Sequence, residues 1–203
     1  MKQDYWNDRY ASKDLIWSAG PNQFFKTEVD NLKPGKAIDL ASGEGRNALY
    51  LAELGWNIKA VDFSEVALEK AEKIASGRHL KDKIEFINAD LNTYLLPKSS
   101  FDLVAIIYLQ LPQDQMIPII HKAVHAVAPG GTFLMIGHHS QNLTHGYGGP
   151  QNPENLYTEM EIVGTINGEL AIEKAEQVNR IVDTDEGPQT AIDCLVRAIK
   201  PNQ

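Results

Sequence analysis

Ala37-Ile38-Asp39-Leu40-Ala41-Ser42-Gly43-Glu44-Gly45-Arg46-Asn47 reads as a strand, a glycine turn and the start of a helix. Ala37, Ile38 and Leu40 make a short apolar run of strand type, and Ala48, Leu49, Leu51, Ala52 and Leu54 carry the helix onward. Gly43 and Gly45 let the backbone turn sharply and come close to a ligand. The spacing G-x-G-x-x-A occurs in dinucleotide sites and in ordinary loops alike, so the residues around the glycines must decide between them.

Charge is the first discriminator. A pyrophosphate is held by bare amides and the positive end of a helix, and carboxylates beside the turn repel it. Asp39 closes the strand and Glu44 sits inside the turn. That pattern favours a ligand bearing a cation, such as the ammonium and sulfonium of S-adenosylmethionine. Asp62 ends the next apolar run, Ile58-Lys59-Ala60-Val61-Asp62, where a carboxylate can accept hydrogen bonds from ribose hydroxyls. A third run, Ile84-Glu85-Phe86-Ile87, leads into Asn88-Ala89-Asp90-Leu91.

Strand-like runs alternate with helical patterns over 36–137, the signature of a parallel sheet covered on both faces. A helix after Asp62, capped by Ser64, is expected to end near Ser76-Gly77. The fourth strand, Leu103-Val104-Ala105-Ile106-Ile107-Tyr108, is apolar throughout. Met116, Ile119, Ile120, Ala123, Val124 and Val127 then fall at helical spacing, and Pro129-Gly130-Gly131 is expected to stop that helix before a fifth strand over 132–136. A long polar segment opens at His138-His139; loops of that length are usually functional lids or disordered. A short helix from Tyr157-Thr158 and two last strands, over 171–181 and 189–199, complete the chain. The short turn between those strands requires them to be antiparallel.

The chain resembles the class I S-adenosylmethionine-dependent methyltransferases. The matching pieces are Asp39-Leu40-Ala41-Ser42-Gly43-Glu44-Gly45, Val61-Asp62-Phe63-Ser64, Asn88-Ala89-Asp90 and Phe101-Asp102-Leu103-Val104. Within that superfamily it is similar to the small bacterial methyltransferases grouped with the tellurite-resistance and thiopurine-methylating types, on Tyr5-Trp6-Asn7-Asp8-Arg9-Tyr10 and Ile16-Trp17. The resemblance implies an α/β fold, Rossmann-like and doubly wound: a seven-stranded, mostly parallel sheet with one antiparallel strand and helices on both faces. It implies one methyltransferase domain over 1–203, with an N-terminal helical cover over 1–35 and a lid or substrate insertion over 138–168. The implied cofactor is S-adenosylmethionine, with no metal. Its expected contacts are Ser42, Gly43, Gly45, Arg46 and Asn47 at the turn, Asp39 before it, Asp62 and Phe63, then Ala89, Asp90 and Leu91 around the adenine. Trp17 and Tyr108 join them.

Ligands in open α/β sheets bind outside the carboxyl ends of the strands. His138 and His139, following the fifth strand, are therefore the candidate proton acceptors or substrate contacts. Tyr10 is a candidate active-site wall, since a ring face stabilises a cation. Arg180 could hold an anionic substrate. Asp193 and Arg197, on one face of the last strand, read as a structural pair.

Composition sets the bounds. The 203 residues suit one ordinary domain, and 43% hydrophobic with 23% charged residues is a globular, not a disordered, balance. A net charge of -8 disfavours non-specific attachment to nucleic acid, which depends on clustered Lys and Arg. No apolar stretch is long enough to span a membrane, the start lacks the apolar core of a signal peptide, and Cys194 has no second cysteine to pair with. A cytoplasmic enzyme with a small-molecule substrate is the expectation. Two other readings stay open: a nicotinamide-dependent oxidoreductase, and a protein that binds S-adenosylmethionine without catalysis.

Overall fold

The computed structural model describes residues 3–13, 15, 20–166 and 168–202. β1 (Lys36–Leu40) is buried from Ala37 to Leu40, as an apolar run without polar alternation requires, because both its faces must be covered. β2 (Asn57–Asp62) and β4 (Phe101–Ile107) flank it in parallel, with Ile38 opposite Lys59 on one side and Val104 on the other. β3 (Ile84–Asn88) extends the sheet beyond β2, and β5 (Val127–His138) pairs in parallel with β4. β7 (Gly187–Ile199) runs against both β5 and the edge strand β6 (Ala171–Thr184). The order β3-β2-β1-β4-β5-β7-β6 is the doubly wound sheet that the sequence predicts, with β7 reversed.

Two cores sandwich the sheet. On one face α2 (Gln23–Val29), α3 (Arg46–Glu53) and α4 (Glu65–Gly77) bring Phe25, Val29, Leu51 and Ala75 against Ala37, Leu103 and Leu134. On the other, α5 (Gln113–Ala126) and α7 (Glu159–Ile166) bring Met116, Ile119, Ile162 and Ile166 against Ile38, Leu40 and Val104. α1 (Gln3–Ala11) packs on α4. The α4 N-terminus is capped by Ser64, whose Oγ accepts from Ala67 N at 3.2 Å and donates to Asn7 Oδ1 of α1 at 2.6 Å. Ser64→Ala is expected to cost about 1 kcal/mol, a fall of roughly 3 °C in the thermal unfolding midpoint for a chain of this size.

Two boundaries differ from the sequence reading. Pro129-Gly130-Gly131 does not separate helix from strand: the helix ends at Ala126 and β5 starts at Val127. The three residues are absorbed as an irregularity, with Phe101 opposite Val127 but Leu103 opposite Thr132, and Gly130 takes φ 74° to allow it. The last hairpin is also longer than expected, closing at Thr184 opposite Gly187, where φ is 107°. β5 reaches only as far as His138 opposite Asp193, so the hairpin tip projects beyond the sheet. The segment after β5, including α6 (Asn142–His145), packs beneath it. Asn142 Oδ1 accepts from Ile192 N at 2.7 Å, and Tyr147 N donates to Thr190 O at 2.9 Å.

Candidate active site

The strand exits of β1, β2, β4 and β5, with Arg180 from within β6, converge on one cavity of about 820 Å³. At the β1 exit Gly43 and Gly45 take φ of 54° and 73°, the left-handed region that favours glycine. A Cβ on Gly43 would lie 2.7 Å from the Tyr10 hydroxyl, and one on Gly45 would lie 2.9 Å from Ala71 Cβ on α4. Asp62 fixes the turn from the neighbouring strand, its two oxygens accepting from Gly43 N and Ser64 N, each at 2.8 Å. Burial raises the Asp62 carboxyl above its ordinary range even so.

Asp39 is almost wholly enclosed behind this turn. Burial, and then the nearby Asp62, push its carboxyl up to about 7. Its Oδ2 and the Ser42 hydroxyl are buried with no hydrogen-bond partner among the described residues. A buried carboxylate oxygen without a donor is costly unless something supplies one. The ammonium and hydroxyls of S-adenosylmethionine are donors of that kind, so the residues present fit the cofactor. Glu44 contributes less than the sequence suggests, because Lys70 Nζ lies 3.3 Å from its Oε1 and answers its charge from within the chain.

The cavity lining includes Tyr10, Ser42, Gly43, Arg46, Asn47, Asp62, Phe63, Tyr108, His138 and Arg180. Other predicted site residues stand elsewhere. Gly45 begins α3 against α4. Ala89 and Leu91 pack into the core at the β3 exit, and Asp90 Oδ1 accepts from Asn92 N and Asn92 Nδ2, both at 2.8 Å, in a local turn. Asp39, Gly45, Ala89, Asp90 and Leu91 are all outside the cavity lining. Trp17 lies outside the described residues. His139 is not in the lining either: its Nδ1 accepts from Gln141 N at 3.0 Å and its Nε2 sits 3.3 Å from Glu159 Oε2. Adjacent residues at a strand exit face opposite sides, so only one of the two histidines can reach the cavity.

The residue that sequence reasoning missed is Asp193. Arg197, its expected partner, instead meets Glu28 Oε2 at 3.3 Å and Glu173 Oε2 at 3.1 Å. Asp193 is completely buried and gathers three cavity residues. Its Oδ2 accepts from the Tyr108 hydroxyl at 2.6 Å and from Arg180 Nε at 2.9 Å, and its Oδ1 is 3.1 Å from His138 Nδ1. The His138 contact is a close approach without linear hydrogen-bond geometry, and neither atom has another partner among the described residues. Burial alone would raise the Asp193 carboxyl; His138, Arg180 and Tyr108 together bring it below the ordinary range, so it is ionised at neutral pH. Tyr108 itself sits at φ 59°, a sparsely populated conformation for a tyrosine, and also accepts from Asn22 Nδ2 at 3.2 Å. The available signal was a lone acid in the otherwise apolar run Ala191-Ile192-Asp193-Cys194-Leu195-Val196, since an acid inside a sheet needs partners.

The family model for tellurite resistance protein TehB matches residues 1–188. The chain belongs to the TehB family. Across 98% of its length it superimposes on TehB from Haemophilus influenzae, covering 66% of that chain, with a TM-score of 0.73 and 19% identity. A protein solved in connection with the conversion of a disulfide bond into a thioacetal group during echinomycin biosynthesis gives a TM-score of 0.74 at 19% identity, over 98% of this chain and 92% of the other. These two likenesses show the fold. In sequence, the demethylmenaquinone methyltransferase of Clavibacter sepedonicus is 29% identical over 130 residues, 62% of this chain and 52% of the relative. The chain thus spans about half the length of the curated relatives it matches. Among the described residues no cluster of His, Cys, Asp or Glu is arranged to hold a metal ion, and no helix is long and apolar enough to cross a membrane.

Proposed function

We propose that this TehB-family chain transfers a methyl group from S-adenosylmethionine to a small-molecule acceptor by direct in-line displacement. One observation carries the reading: a single cavity has the glycine turn at one end, with the enclosed, donor-seeking Asp39 behind that turn and outside the lining, and Tyr108, His138 and Arg180 gathered on Asp193 at the other. The first end suits the cofactor and the second suits an acceptor. Residues 1–203 act as one methyltransferase domain, with 1–35 as its helical cover and 138–168 as the lid over the acceptor end. A cytoplasmic setting fits the single, buried, unpaired Cys194.

When bound, S-adenosylmethionine supplies a methyl group made electrophilic by the attached sulfonium. The protein's part is placement. Asp39 would offer its carboxylate to the ligand's ammonium and Asp62, which holds the turn, would meet the ribose hydroxyls; Ala89, Asp90 and Leu91 would serve the adenine only where it reaches past the cavity lining to the β3 exit. Tyr10 and Phe63 exclude water, and Arg46 and Asn47 border the methionine end. Holding two reactants in line is worth roughly 7–11 kcal/mol of barrier.

Two other readings are weaker on specific grounds. A nicotinamide dinucleotide would set its pyrophosphate at the glycine turn, and a pyrophosphate brings no donor for the buried, unpartnered Asp39 Oδ2. A non-catalytic binder has no use for an ionised Asp193 that orders three cavity side chains.

Incubation with methyl-labelled S-adenosylmethionine and panels of thiols, selenite, tellurite, amines and hydroxy acids tests the proposal. Label is expected to move to one of these classes with formation of S-adenosylhomocysteine. If S-adenosylhomocysteine binds and no label moves across the panels, the chain is a binding protein and not a transferase.

A further inference from the structure

His138 and Asp193 stand opposite each other in the β5–β7 pairing, and the register alone would explain their nearness. It does not explain the rest of the arrangement. Asp193 Oδ2 is fully used by Tyr108 and Arg180 Nε, whereas Oδ1 faces only His138 Nδ1 among the described residues. An ionised carboxylate oxygen with a single nitrogen beside it favours a proton on that nitrogen. In the neutral ring of His138 that favours the Nδ1–H tautomer, with Nε2 as the lone-pair atom. The ring is also closely neighboured: Gly149 lies so near that a Cβ there would come 3.0 Å from His138 Cγ and Cδ2, and Tyr108 is 5.0 Å away between ring centroids.

Arg180 adds the second element. Nε is committed to Asp193 and Tyr108, and the two terminal amino groups make no hydrogen bond among the described residues. The guanidinium lines the cavity and lies 5.6 Å from the Tyr108 ring centroid. Those amino groups present a fork suited to a carboxylate or other planar oxyanion.

We propose that Asp193 is a positioning residue that makes His138 the proton acceptor for a small hydroxy acid, whose anionic oxygens are held by Arg180. The inference rests on the methyltransferase reading and names its substrate class. In the step, the acceptor's hydroxyl oxygen forms a bond to the methyl carbon as the carbon–sulfur bond breaks, and that electron pair stays on sulfur as the thioether. The hydroxyl proton passes to His138 Nε2. A soft anion such as selenite attacks through a lone pair and needs no such base, so the dyad distinguishes the two kinds of acceptor.

The first test needs no turnover. In protein labelled with ¹⁵N at histidine, the His138 ring is expected to show Nδ1–H with Nε2 bare, and Asp193→Asn is expected to shift the population toward Nε2–H. The Nε2–H tautomer in the unaltered protein, or no change in the variant, overturns the inference. The second test offers hydroxybenzoates and short aliphatic hydroxy acids, with selenite as comparison. Methylation of a hydroxy acid is expected, with kcat lowered about 100-fold by Asp193→Asn, within the range for loss of a general base, and a smaller rise in KM as Arg180 loses its anchor. Methylation of selenite alone, or of no hydroxy acid, overturns the acceptor class. Calorimetry with S-adenosylhomocysteine separates the levels: binding with the wrong tautomer defeats this inference alone, whereas no binding defeats the methyltransferase reading beneath it.

Discussion

Asp39→Asn is expected to weaken S-adenosylhomocysteine binding by 10- to 100-fold at pH 8, the range for losing a hydrogen-bonded charge worth about 1.5–3 kcal/mol. It is also expected to abolish a proton release that accompanies binding near pH 6. The carboxyl is pushed up to about 7 by burial and by Asp62, against an ordinary 3.8. In the free protein, Asp39 is therefore largely protonated at pH 6. A ligand ammonium favours the carboxylate, so binding must expel the proton, and affinity should rise with pH until about 7. Titrations at pH 6 in buffers of different ionisation enthalpy read this release as a heat difference. Equal heats in all buffers would contradict it.

The sign for stability runs the other way. A raised folded-state value favours the native protein when Asp39 is protonated. That contribution is fully present below pH 3.8 and is lost as pH rises toward and through 7. Asp39→Asn does not lose it, so the variant should gain stability relative to the original protein as pH rises from 4 to 8. Urea unfolding at several pH values checks this. The same substitution should improve the fold and impair the site, which is the mark of a group placed for a ligand.

Gly45→Ala is expected to destabilise the protein by about 2 kcal/mol, of which the left-handed backbone accounts for roughly 1–2. Crowding supplies the remainder, because the new Cβ would lie 2.9 Å from Ala71 Cβ on a buried face of α4. Gly55→Ala is the control. Gly55 has φ 92° but nothing within 4 Å of a built Cβ, so the backbone cost stands alone. A larger loss at Gly45, with weakened S-adenosylhomocysteine binding confined to that variant, identifies a glycine required for close packing as well as for its turn. Equal losses would remove the role assigned to the α3–α4 contact.

The parallel half of the sheet was legible because β1, β2 and β4 are apolar runs ended by turn signals, a pattern that local sequence records directly. The β5 start was not, because Pro129-Gly130-Gly131 signals a break and only tertiary pairing with Phe101 turns it into an irregularity within a strand. Asp39 and the glycine turn could be read from one short stretch. Asp193 could not, since its partners Tyr108, His138 and Arg180 come from three other strands, and its nearest charged neighbour on the same face, Arg197, pointed to a simpler account. The choice between His138 and His139 was available in principle from strand alternation. Glu44 misled for the opposite reason: the acid is local, but Lys70, which answers it, arrives from the next helix.

On the proposed reading, this cavity holds S-adenosylmethionine. Calorimetric titration of the unaltered protein with S-adenosylhomocysteine and, separately, with NADH tests it most directly. Saturable binding of S-adenosylhomocysteine, lost or strongly weakened in Asp39→Asn, with no binding of NADH, is the predicted result. Binding of NADH with no heat from S-adenosylhomocysteine would contradict it.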